Sequence, residues 1–424
     1  MNKTKETFVF GFALFAGFFG AGNLILPPLL GFKAGGDWWL VTLGFIISAT
    51  IIPLLAILAH ARLQGTMLDF GKKVSPFFSL IFCLCMYAIT IALPCPRTAA
   101  VAHEMAIASY FGTGALLTSV LYFALAFVFV MNRNKVLSIL GKYLTPIIVL
   151  IVLAIIVVGV FSSEIQLSSS NLELPLISGL LEGYQTYDAM AGMIMGGIVL
   201  VSINNSKANM TFGEKKKMVA KSGFIAIIGL FVIYAGLIAV GAIYNTQFDV
   251  NISRTDLLSG LATKTLGSIG SAFLAVLVAL SCFTTAVAII VSVADFFKEY
   301  FKKSKMAYLI TTIICCVVGV LVGQMNVKYI IDVAIPALMF IYPICIVLIL
   351  LNVLPEKFAS KLVFRAVVLI TFVFSIPDFL GFIIPADYLE NIKSVIPLAS
   401  QNLGWILPAL IAFILVNLFE RFKS

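Results

Sequence analysis

The sequence predicts an all-α polytopic membrane protein of about twelve transmembrane helices. Three observations carry that prediction. Hydrophobic residues make up 61% of the 424 positions and charged residues only 11%, against about 25% charged in a soluble domain. Apolar runs of about 20 residues, the length that crosses a bilayer's hydrocarbon core, recur from end to end. Lysine and arginine fall almost entirely into one set of connections.

The spans fall at approximately 8–31, 38–60, 76–110, 116–131, 143–161, 179–204, 220–244, 268–296, 306–324, 328–352, 362–384 and 396–419. No composition shift marks a soluble domain, so residues 1–424 read as one membrane domain. One set of connections carries Arg62, Lys72, Lys73, Arg133, Lys135, Lys142, Lys207, Lys215, Lys216, Lys217, Lys221, Lys298, Lys302, Lys303, Lys305, Lys357, Lys361 and Arg365. Lys3, Lys5, Arg421 and Lys423 at the termini join that side, making 22 in all. The opposite side holds five: Lys33, Arg254, Lys264, Lys328 and Lys393. Positive charge stays inside, so both termini are expected in the cytoplasm. The net charge of +9 is then a topological signal, and a nucleic-acid partner is not expected. The external stretches 162–178 and 245–267 read as loops.

The first span is apolar but weak in its middle. Gly17, Gly20 and Gly22 lie beside Asn23, and Leu26-Pro27-Pro28 follows. Each glycine weakens a helix by about 1 kcal/mol relative to alanine, so the helix is expected to unwind there. A lipid-facing break is not tolerated; one that lines a cavity is. The N-terminal segment lacks a small-residue cleavage site and so does not read as a signal peptide. Span six is interrupted likewise, over Gly183-Tyr184-Gln185-Thr186-Tyr187-Asp188 and then Gly192, Gly196 and Gly197. Singly, either cluster is also what close helix packing through small residues would use. Jointly they open two blocks of five spans, approximately 8–161 and 179–352. The odd number inverts the second block, and 362–419 adds two further helices. Paired interruptions of this kind point to a transporter site. Freed N–H groups suit a carboxylate, and freed carbonyls suit a cation.

Other polar groups sit inside apolar runs. Asp188 lies toward the external end of span six, where it either meets interfacial water or serves the site or its gate. Span three carries Pro94 and Pro96, which predict a kink, then Arg97 and Glu104. Arg97 either snorkels to the external surface or acts as a gate charge paired with Asp188 or Glu104. Ser281, Thr284 and Thr285 in span eight offer hard oxygens for a cation, or simply bond back to their own helix. The seven cysteines give no disulfide framework or metal spacing. His60 and His103 are isolated and read as structural residues. No phosphate loop, zinc-protease motif or nucleophile–base pair is present, so an enzyme is not expected.

Three segments in order carry a resemblance. Phe19-Gly20-Ala21-Gly22-Asn23-Leu24-Ile25-Leu26-Pro27-Pro28, Pro96-Arg97-Thr98-Ala99 and Tyr184-Gln185-Thr186-Tyr187-Asp188-Ala189 resemble signature segments of the branched-chain amino acid:cation symporters. That family belongs to the amino acid–polyamine–organocation superfamily. Gln185 and Tyr187 depart from its usual asparagine and methionine, and Pro94-Cys95 replaces apolar residues. These changes bear on substrate preference. The resemblance implies a leucine-transporter-like five-plus-five fold in a bacterial cell membrane. It implies uptake of leucine, isoleucine or valine with Na+ or H+, with no cofactor and no obligate protein partner. It places substrate at Gly20, Ala21, Gly22, Asn23, Tyr184, Gln185, Thr186 and Asp188. It places sodium among the carbonyls of Ala16 and Phe19 and the oxygens of Ser281, Thr284 and Thr285. Another amino acid, such as an aromatic one, on the same fold is the first alternative; a channel or receptor is the second.

Overall fold

The computed structural model describes residues 3–423 except 21–22, 133–134, 162–166, 195, 198–210 and 386. The described residues form helices joined by short turns. Nine of these helices are long and apolar enough to cross a membrane. Leu26–Leu63, which carries the second half of span one into span two, counts as one helix among the nine, and the first half of span one and the interrupted sixth span fall outside them. So does the last helix, Ile406–Lys423, which carries Glu420, Arg421 and Lys423 in its final turn.

Both expected interruptions are present. Span one is helical over Lys3–Phe18 and resumes at Leu26–Ala34. Its second half starts on Pro27 and Pro28, which have no N–H to leave unpaired in a first turn. Span six is helical over Pro175–Tyr184, breaks at Gln185–Tyr187, and is helical again over 188–194. The break therefore precedes Gly192 and Gly196, which instead serve packing. A Cβ at 192 would lie 2.9 Å from the Ala56 Cβ, and one at 196 only 2.4 Å from the His60 ring. Span six begins four residues earlier than the hydropathy suggests. Ten helical residues, about 15 Å, precede the break, so Asp188 sits deep rather than near the interface.

Span three kinks as its prolines require. Helix Pro76–Ala92 meets helix Pro94–Ala102 at Leu93, whose φ of −122° and ψ of −71° are not helical. Span eight differs from expectation. Helical hydrogen bonding runs over Arg254–Tyr300, but Gly267 at φ 74° and ψ 179° divides it in two. The stretch 245–267 is thus largely a helix, and only the part after Gly267 is the span.

Glycines set the closest helix approaches. A Cβ at Gly31 would lie 1.9 Å from the Ile238 carbonyl oxygen, and one at Gly241 2.0 Å from that of Pro28. This locks the second half of span one onto span seven (Phe212–Ile243). A Cβ at Gly44 would lie 1.9 Å from the Leu176 oxygen, and one at Gly179 2.1 Å from that of Val41. This locks the first half of span six onto span two. All four contacts lie on the side away from the termini.

Candidate site at the two helix breaks

The two breaks face each other across a cavity of about 450 Å³. Phe19, Gly20 and Asn23 from span one line it, with Thr186, Tyr187 and Asp188 from span six. Span three adds Tyr87, Thr90 and Arg97, and span eight adds Ser281, Thr284 and Thr285. From the breaks, the cavity follows Ile194, Val287 and Ser292 toward the side of the termini.

One hydrogen-bonded chain joins four spans at its head. The Arg97 guanidinium, 4% exposed, donates from Nη1 to the Gln185 carbonyl at 2.7 Å and from Nη2 to Asn23 Oδ1 at 3.2 Å. Asn23 Nδ2 donates to Asp188 Oδ1 at 3.0 Å, and the Tyr234 hydroxyl donates to Asp188 Oδ2 at 3.0 Å. The chemistry fixes the orientation of the Asn23 amide. A guanidinium only donates and a carboxylate only accepts, so the amide oxygen must face Arg97 and its nitrogen Asp188. The snorkelling reading of Arg97 does not hold: its charge is buried, and a buried charge needs such partners. Nor does it pair with Glu104. That carboxylate accepts from Thr255 Oγ1 at 2.7 Å and from the Val327 N–H at 2.8 Å.

Tyr187 completes the head of the cavity. Its φ of +60° is a left-handed conformation that a bulky side chain rarely adopts, and residues so held cluster at functional sites. The Arg97 guanidinium lies 5.2 Å from its ring centroid, a cation–π distance. In the sequence Tyr187 stands out only as a departure from the family pattern. Tyr234 carries no signal there at all, being a lone tyrosine in an apolar span.

The first turn after the span-six break is largely satisfied from within. The Asp188 N–H donates to Thr186 Oγ1 at 3.2 Å, and the Ala189 N–H to the Tyr342 hydroxyl at 3.3 Å. Thr186 itself donates to the Gly183 carbonyl at 2.8 Å. Free N–H groups for a carboxylate are therefore scarcer here than a bare helix end would offer. Tyr184 and Gln185 are buried but off the cavity wall. Tyr184 stacks on Tyr342 with centroids 4.4 Å apart, and Gln185 reaches the site through its backbone carbonyl alone. Ala21 and Gly22 lie outside the described residues.

The five residues expected around a cation, Ala16, Phe19, Ser281, Thr284 and Thr285, share one stretch of wall. A Cβ at Gly20 would lie 3.7 Å from Thr285 Cγ2, so the first break abuts the hydroxyl pair. Thr284 and Thr285 both donate to the Ser281 carbonyl at 2.9 Å. Their protons are used within their own helix, while their oxygens keep lone pairs. Among the described residues, no group of three or more His, Cys, Asp or Glu side chains could hold a metal ion.

A family model described as branched-chain amino acid transport protein matches residues 3–423. The chain belongs to this family. A branched-chain amino acid transport system 2 carrier protein of Pseudomonas aeruginosa is 30% identical, over 99% of this chain and 97% of its own. A branched-chain amino acid permease of Corynebacterium glutamicum is 32% identical, over 97% and 94% respectively. Among solved structures, the inward-facing conformation of Mhp1 superposes with a TM-score of 0.63 at 14% identity, covering 97% of this chain and 89% of that one. MhsT in complex with L-phenylalanine superposes at 0.52 and 15% identity, covering 96% and 97%. At such identities the likeness speaks to the fold alone, which is the leucine-transporter-like one. Family and fold together make the chain a multi-pass membrane transporter rather than an enzyme.

Proposed function

We propose that the chain imports leucine, isoleucine and valine across a bacterial cell membrane by symport with Na+ or H+, with both termini cytoplasmic. One observation carries this reading. Two opposite charges, Arg97 and Asp188, stand joined by the Asn23 amide at the head of a largely apolar cavity. A free amino acid is a zwitterion and presents the complementary pair.

Arg97 uses two of the five N–H donors that a guanidinium carries in bonds to Gln185 and Asn23. Its remaining donors suit the substrate carboxylate, for which a planar fork is the better partner. The ammonium turns toward Asp188 and the carbonyls of the breaks. Phe19, Met190, Ile194 and Val287 supply an apolar wall for the side chain. A methylene is worth about 0.8 kcal/mol there, so the three substrates compete within a few-fold of one another. The coupling cation binds among the carbonyls of Ala16 and Phe19 and the oxygens of Ser281, Thr284 and Thr285. Alternating access follows from rocking of one group of helices against another around this fixed site.

The test is uptake of labelled leucine into proteoliposomes, first under a sodium gradient and then under a pH gradient alone. Uptake above equilibrium with either gradient is expected, and failure of both overturns the symport reading. Phenylalanine that competes better than valine would favour an aromatic substrate on the same fold.

A further inference from the structure

His60 lies near the end of span two, fully buried at 0% exposure. Its two ring nitrogens face two backbone carbonyls. Nε2 is 2.6 Å from the oxygen of Met193, in the second half of span six. Nδ1 is 3.2 Å from the oxygen of Gly65, in the turn that follows span two. A carbonyl only accepts, and a neutral imidazole has one N–H and one bare nitrogen. In the neutral ring one of these two contacts sets lone pair against lone pair. In the protonated ring both are charge-assisted hydrogen bonds.

The surroundings hold the ring to this choice. A Cβ at Gly196 would lie 2.4 Å from His60 Cδ2, and one at Gly197 3.3 Å from Cε1. The Gly196-Gly197 pair is thus the recess that admits the ring. Phe70 closes another side, its centroid 4.8 Å away and edge-on.

Among the described residues, the charges around it are few. Span six presents no titratable side chain at Met193, Gly196 or Gly197. Arg62, two residues on, directs Nη1 to the carbonyls of Val353 and Leu354. Asp69, in the turn after span two, is the acidic group beside Gly65. Partial burial would raise Asp69, but hydrogen bonds from Lys72 and Thr66 and the Lys72 charge hold it below the usual carboxylate range. Lys72 Nζ is 2.5 Å and the Thr66 N–H 2.6 Å from its oxygens. Asp69 therefore stays anionic at neutral pH.

We propose that His60 is a proton-binding site whose occupancy is read by the second half of span six. Met193 lies between Met190 and Ile194, both on the cavity wall. A proton on His60 lets the ring bond the Met193 carbonyl of that segment and the Gly65 carbonyl of its own turn at once, and its loss sets the two in competition for one N–H. By linkage, whatever moves the segment changes the proton's affinity, and the reverse. The consequence for transport rests on the symport reading; the proton site itself does not.

The experiment uses the fact that the chain has two histidines. The other, His103, pairs with Thr118 at 2.9 Å, away from both site and ring. In His103→Gln, labelled ring nitrogens report His60 alone, and methyl-labelled methionine reports Met193, assigned through Met193→Leu. Both are followed by NMR from about pH 8.5 to about pH 5.5, the range in which an imidazole changes charge. The expected result is a ring that passes from one protonated nitrogen to two, with the Met193 methyl shifting at the same midpoint. A ring that stays singly protonated throughout overturns the proposal, as does a ring that titrates while Met193 stands still. His60→Gln keeps a donor for one carbonyl but cannot titrate. It is expected to abolish the Met193 shift, and a shift that persists there also overturns the proposal. None of these readouts requires transport, so failure of leucine uptake and failure of the His60 proposal are distinguishable.

Discussion

The two faces of the membrane domain are built differently. On the side away from the termini, backbones touch through Gly31, Gly44, Gly179 and Gly241. Arg254 pairs there with Glu182. Glu104 ties span three to the helix after residue 254 and to the start of span ten. The segment at 168–171 is stitched to residues 33–36, by the Gly36 N–H to the Ser168 carbonyl at 2.9 Å and the Asn171 N–H to that of Lys33 at 3.0 Å. On the side of the termini, the cavity runs outward between spans one, six and eight, and span six is held to span two by one titratable ring. One face is closed chiefly by close backbone packing and backbone hydrogen bonds. The other is held by a group whose bonding changes with a proton. That asymmetry is what a transporter open toward one side requires, because the two faces must not be open at once.

The largest expected effect lies where the faces meet. Arg97→Ala removes a buried, hydrogen-bonded charge opposite Asp188, a change that typically costs about 2–5 kcal/mol. Leucine uptake is then expected to fall by roughly 30-fold to several thousand-fold. Arg97→Lys keeps the charge but loses the fork and falls between. Wild-type uptake in either variant would remove Arg97 from the site.

Next comes the sealed face. Gly179→Ala forces a methyl against the Val41 carbonyl, and overpacking of this kind costs about 1–3 kcal/mol or more. A lowered melting temperature is expected, while Gly213→Ala, with nothing within 4 Å, leaves it unchanged. Equal melting of the two would mean that the close glycine contacts are not what closes that face.

Tyr234→Phe withdraws one donor from the Asp188 carboxylate. Hydrogen bonds to charged groups contribute about 1.5–3 kcal/mol, so leucine affinity is expected to drop by about ten-fold or more, read by equilibrium binding. Smallest is Glu182→Gln. Its pair with Arg254 is partly exposed, at 19% and 18%, and such pairs are worth at most about 1 kcal/mol. A few-fold gain in labelling of a cysteine placed at Thr186, from the side away from the termini, is expected. No gain would assign the seal to the glycine contacts alone.

The fold is largely legible in the sequence, because its signals are compositional. Apolar length, lysine bias and glycine clustering at Gly17–Asn23 each act locally. The site is legible only in part. Hydropathy puts Asp188 too near the surface, because Pro175 and Leu176 extend span six backward through a stretch whose serines and acids look like loop. The Asn23 link between Arg97 and Asp188 is a meeting of three spans, and no local pattern announces it. His60 is the hardest to read. Its partners are backbone carbonyls, and every residue has one, so neither composition nor spacing marks them. Gly196 and Gly197 are visible but ambiguous, since the same small residues serve a break or a recess.

The central claim is that an amino acid lies between Arg97 and Asp188 at the two helix breaks. The most direct measurement is a structure of the protein with leucine bound. The leucine carboxylate is predicted within hydrogen-bond distance of the Arg97 guanidinium, its ammonium turned toward Asp188, and its side chain against Phe19 and Met190. Leucine bound elsewhere, or in this cavity with its carboxylate away from Arg97, would contradict that claim.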